Sequence, residues 1–143
     1  MTSPYPYMLP SEKQFSDFMK HYGIKLSTRV VLYENKPKEP YWATRVYWMF
    51  TVFGHKNVSV LDGGLNKWIA EGRPTESDAD IGSEDDYKVT LNKDLVRSFE
   101  QIKELEVEIA GGKTTTQLID ARGEMYYKNG HIPVAKNLWF KLF

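Results

Sequence analysis

Three short runs decide the class of this chain: RVVLYE (residues 29–34), VSVLD (58–62) and QLIDA (117–121). Each is rich in branched apolar residues, bounded by turn formers and followed by a helical pattern. Strands alternating with helices lead to a parallel sheet with helices on both faces, an α/β fold. The pattern of RVVLYE suits a buried parallel strand.

The helices between the strands carry their own signals. Ser11 followed by Gln14 makes a capping box, with Ser11 as N-cap and Gln14 at the third helical position. Phe15, Phe18, Met19 and Tyr22 then fall at helical spacing, and Gly23 is the stop. Residues 41–53, YWATRVYWMFTVF, are apolar nearly all round and predict a buried helix ending at Gly54. Residues 65–71 form a short helix closed by Gly72. YKVT (87–90) reads as a short strand, and Asn92 as the cap of a helix carrying Leu95, Phe99, Ile102 and Ile109. Trp42, Trp48 and Trp68 are expected in the core, and Asp62 before Gly63-Gly64 is expected to turn the chain into the next helix.

A composition shift divides the chain. Residues 73–86 hold six acids against one base, a surface linker between residues 1–72 and residues 87–143. Over the whole chain 19 basic residues balance 19 acidic ones, so no charge footprint for nucleic acid appears. No apolar run is long enough for a membrane span, and the opening MTSPYPYMLPSEK lacks the pattern of a secretory signal. Cysteine is absent from all 143 residues, which removes disulfides, thiolate catalysis and Cys-type zinc sites. Three scattered histidines do not make a metal cluster; His21 and His55 read as partners of helix C-termini. No phosphate loop, metalloprotease, dinucleotide or serine-hydrolase motif is present.

The pieces PYPYMLPSEKQF, RVVLYE, TRVYWMFTVFGHKNVSVLDGGLNKWIAEGRP, QLIDARGEMYY and GHIPVAKN resemble the rhodanese and mercaptopyruvate sulfurtransferase family, two-domain enzymes that pass a sulfane sulfur through a cysteine persulfide. Val134 departs from the family turn, which usually has a second glycine there. The resemblance implies a rhodanese-like fold. Residues 1–72 are similar to the second part of the family's first domain, and residues 87–143 to the opening part of its second. The halves are complementary, so the expectation is one circularly permuted domain, closed within the chain or by exchange between two copies.

The resemblance also locates a lost site. Where the catalytic domain holds its persulfide cysteine after a strand, Glu34 or a near neighbour stands here, and a carboxylate cannot carry sulfur. Pro37 and Pro40 remove two N–H donors from the loop that would stabilise the anion. Asp120 and Arg122 end a parallel strand, where open α/β sheets place a ligand crevice, and the resemblance puts Arg122 where a substrate-binding arginine is expected. The competing reading of Asp120 and Arg122 is a structural ion pair. Asp62, Gly63, Gly64, Trp68, Gly130, His131 and Pro133 complete the shared motifs, with His131 expected to bond backbone locally.

The function implied is that of a rhodanese-like protein without catalysis, acting as a structural or interaction subunit with other protein subunits or a second copy as partner. No cofactor is implied. The rival is a split sulfurtransferase subunit whose cysteine comes from another chain, and a third reading is an anion-binding sensor. The family's setting implies a mitochondrial location, with the cytoplasm as the alternative and secretion disfavoured.

Overall fold

A computed structural model describes residues 8–35, 41–77 and 87–139. The chain forms two compact units, Met1–Val96 and Arg97–Phe143. In the first, α1 (Glu12–His21) leads to β1 (Val30–Leu32), α2 (Tyr41–Val52), β2 (Val58–Val60) and α3 (Gly64–Ala70). In the second, α4 (Phe99–Ala110) leads to β3 (Ile119–Asp120), α5 (Glu124–Lys128) and β4 (Lys136–Asn137). Both strand pairs are parallel, β1 with β2 and β3 with β4. The α/β class read from the three apolar runs is the one the fold adopts.

Local chemistry explains the helix ends. Ser11 accepts from the Gln14 amide at 3.2 Å while the Gln14 side chain accepts from the Ser11 amide at 2.9 Å, closing the capping box foreseen for α1. The start of α4 needs a correction. Asn92 caps only a short 3₁₀ turn, Lys93–Leu95, whereas α4 begins after Ser98, which forms its own capping box with Gln101. The Ser-x-x-Gln spacing at 98–101 was the readable signal.

The core of the first unit is aromatic. Phe15, Met19, Phe50, Phe53 and Tyr87 form one buried cluster, with Phe15 stacked on Phe53 at 4.4 Å and edge-on to Phe50 at 5.4 Å. His55 is fully buried beside it. Its Nε2 lies 3.0 Å from the Thr28 carbonyl and its Nδ1 2.9 Å from the Tyr87 hydroxyl. A carbonyl can only accept, so Nε2 carries the proton and Nδ1 accepts from Tyr87. His55 is therefore a buried crosspiece, not the helix-end partner expected.

Tyr87 moves the expected boundary. YKVT forms no strand; it runs along the first unit, where Ser16 donates to the Tyr87 carbonyl at 2.9 Å and Asn92 N–H donates to the Val52 carbonyl at 2.7 Å. Burial of the Tyr87 ring among Phe15, Phe53 and His55 is what holds residues 87–92 there rather than with the second half. Of the acidic linker, residues 73–77 have no regular structure and 78–86 lie outside the described residues.

Three further expectations are corrected. Trp42 is 43% exposed and Trp68 40% exposed, so neither is a core residue, and Trp48 is half-buried with the Arg45 guanidinium 4.6 Å above its ring. Helix α2 is not buried all round: Ala43, Phe50 and Val52 are covered while Tyr47 is exposed, because only one side faces the aromatic core. Among the described residues β1–β2 and β3–β4 are separate sheets, so the chain does not close on itself as one permuted domain.

Candidate functional site

The strand ends carry the two candidate sites, one in each unit. Just beyond β1, the half-buried Glu34 turns its carboxylate to the start of α2, where Oε2 accepts from the backbone N–H of Trp42 at 3.1 Å and Ala43 at 3.2 Å. These are among the amides that a helix leaves unpaired at its first turn, and a carboxylate there also meets the positive end of the helix dipole. The Glu34 carbonyl accepts from Leu65 N–H at 2.9 Å, in the first turn of α3, and the Asn66 amide donates to the Asn35 carbonyl at 2.7 Å. One residue thus ties the end of β1 to two helices.

The glycine pair makes this approach possible. Gly64 has φ +54°, and a Cβ there would run into the Glu34 carbonyl oxygen. Gly63, at φ +79°, is the N-cap of α3 without a side-chain cap bond. Asp62 does not serve the turn as expected; its exposed carboxylate lies 3.6 Å from Lys67. Trp68 donates its indole N–H to the Pro74 carbonyl at 2.8 Å, with Arg73 over its ring at 5.9 Å, and so fastens the chain's exit from α3.

An anion site at the α2 terminus is therefore occupied by the protein's own carboxylate. Glu34 offers no thiolate and takes two N–H groups that an incoming anion would need. Pro37 and Pro40 lie outside the described residues.

At the end of β3 the arrangement is made of side chains. Arg122 Nε lies 3.0 Å from both Asp120 oxygens, Nη2 donates to Asp120 Oδ2 at 2.5 Å, and Nη2 also donates to the Gly130 carbonyl at 2.8 Å. These hydrogen bonds, with the Arg122 backbone N–H, hold the Asp120 carboxyl down at about 2, and the pairing raises the Arg122 guanidinium in turn. His131 stacks on Tyr127 at 3.7 Å, and its Nδ1 lies 2.9 Å from the Tyr127 carbonyl. Asp120, Arg122, Gly130 and His131 thus meet in one open crevice of about 650 Å³. Arg122 is bidentate to Asp120 and tied to the turn, a bracing geometry.

Two contributors escaped the sequence reading. Asn137 donates to the carbonyls of Asp120 at 2.9 Å and Arg122 at 2.8 Å, and the Tyr127 hydroxyl donates to the Ala135 carbonyl at 2.7 Å. Only the neighbourhood of the GHIP turn hinted at them. Pro133 lies in that turn before Val134, which has φ +61°, the single non-glycine residue with positive φ among those described. A β-branched side chain is strained there.

The sequence comparisons fit this construction. Residues 1–71 match the rhodanese-like domain model. Thiosulfate sulfurtransferase of Gallus gallus is 36% identical across 99% of this chain and 50% of its own length. The 3-mercaptopyruvate sulfurtransferase of Homo sapiens is 32% identical over the same shares, 99% and 50%. The chain is a rhodanese-like homologue of these sulfurtransferases. In structure the rhodanese-like chain matches SseA from Escherichia coli, described as a 3-mercaptopyruvate sulfotransferase with the rhodanese fold. The TM-score is 0.84 at 28% identity, covering 96% of this chain and 52% of that one. The rhodanese-like chain thus spans about half the length of the curated relatives it matches.

Proposed function

We propose that this rhodanese-like protein performs no sulfur transfer by itself and acts as a structural or interaction subunit of a larger assembly. The observation that carries the proposal is Glu34, whose carboxylate fills the α2 terminus at the end of β1. No cysteine elsewhere in the 143 residues can take over the sulfur. The proposal includes a mitochondrial setting, supported by homology to the sulfurtransferases alone. Imaging a tagged full chain outside mitochondria would remove that part.

A second reading is favoured by one observation: the chain spans about half of its relatives, and Arg122 sits in an open crevice. In that reading another polypeptide brings the cysteine and this chain brings the arginine. Thiocyanate formation from thiosulfate and cyanide separates the two. The purified chain is expected to form none above the uncatalysed rate; turnover by the chain alone would overturn the first reading. Turnover only after adding a cysteine-bearing partner would support the second.

A further inference from the structure

Both sheets are incomplete in the same way. A parallel sheet is ordinarily covered on both faces and seldom stops at two strands. Yet β1 and β2 stand as a parallel pair, and Val31 and Tyr33 on their outer face are 52% and 60% exposed. With Leu61, Leu65, Trp68 and Ile69 these residues wall a groove of about 720 Å³. Val30 donates to the Asn57 carbonyl and the Leu32 carbonyl accepts from Leu61, so these residues bond towards β2. Alternation along the strand then turns the N–H and C=O of Val31 to the opposite edge.

The second unit shows the same pattern. The Leu118 carbonyl accepts from Lys136 and the Asp120 carbonyl from Leu138, which turns the backbone of Ile119 to the edge away from β4. Ile119 is 44% exposed and Ile132 50%. Among the described residues this unit buries only Ala135 fully, so it has little core of its own.

We propose that the occupant of the β1 edge is a second copy of this chain, whose β3 adds there as a parallel strand. This rests on the interaction role proposed above. One chain carries both open edges, each parallel and each centred on a branched apolar residue, and the two sheets do not join within the chain. A two-fold pair satisfies both edges reciprocally: β3 of each copy meets β1 of the other, and the assembly closes.

The absence of cysteine gives a clean test. Full-length Val31→Cys and Ile119→Cys variants are purified separately, mixed and oxidised. Both positions are exposed, and circular dichroism checks that each variant stays folded. The expected result is a disulfide-linked pair joining one variant to the other as the main product, with neither variant linking to itself. Light scattering of the unmodified chain should give twice 16.6 kDa, and Val31→Lys should return it to the single mass without loss of secondary structure. A single mass at every concentration overturns the proposal and assigns the groove to the rest of a longer rhodanese-type chain. Linkage only between like variants overturns the β1–β3 pairing. Sulfur transfer is read independently: a monomer without it refutes this inference alone, and a β1–β3 dimer that transfers sulfur refutes the catalytic reading alone.

Discussion

The two units secure their strand ends by different means. In the first, a buried aromatic cluster fixes the elements, and the end of β1 is tied down by backbone N–H groups converging on Glu34. In the second, Ala135 alone is fully buried among the described residues, and the end of β3 is held by a side-chain fork in water. Burial is worth several kcal/mol per large side chain, whereas exposed ion pairs contribute about 0–1 kcal/mol. The comparison teaches that the first unit has stability to spare for a lost active site. The second unit depends on local polar bonds and on whatever covers it.

The largest expected effect comes from breaking the first unit's core. Tyr87→Ala removes a buried ring and leaves His55 Nδ1 without its donor, so chemical denaturation should show a loss of about 3–5 kcal/mol. A near-neutral result would mean that residues 87–92 do not belong to this core. Next, Glu34→Ala frees two helix amides and should cost about 1–2 kcal/mol, with Glu34→Gln costing less; an unchanged midpoint would reject the capping role. Val134→Gly should act in the opposite direction, stabilising the second unit by about 1 kcal/mol through relief of the positive φ. Hydrogen exchange at residues 124–137 can read that gain, and faster exchange would count against the strain.

The smallest effects lie in the pH profile, and they differ in sign between the units. The Asp120 carboxyl titrates lower in the fold than its usual 3.8, at about 2. Its contribution is therefore present above pH 4 and lost as pH falls from about 4 to 2. Burial pushes the Tyr87 phenol up to about 12, so its contribution is full below pH 10 and lost as pH rises from about 10 to 12. Site-resolved exchange should show the second unit loosening in acid and the first in alkali. Arg122→Gln should abolish the acid step without touching the alkaline one.

Much of this was legible in the sequence because local rules governed it. The α1 capping box, the helix over residues 41–52 and the GG turn each follow from spacing or from a glycine's backbone freedom. Glu34 was found by its position after a strand, but its role as a cap was not, since its partners lie eight and nine residues on. The tryptophans were misplaced for a related reason. Hydrophobicity says that a ring prefers cover; it does not say that cover exists, and the outer faces of α2 and α3 have none among the described residues. Tyr87 was assigned to the wrong half because its attraction to Phe15 and His55 acts across 72 and 32 residues of chain.

The central claim is that no atom of this chain can hold a sulfane sulfur. Its most direct test is the intact mass of the full-length protein after incubation with thiosulfate or 3-mercaptopyruvate and removal of small molecules. The account predicts an unchanged mass, because Glu34 stands at the α2 terminus and cysteine is absent. A protein species heavier by one sulfur atom, and returned to the starting mass by cyanide, would contradict it.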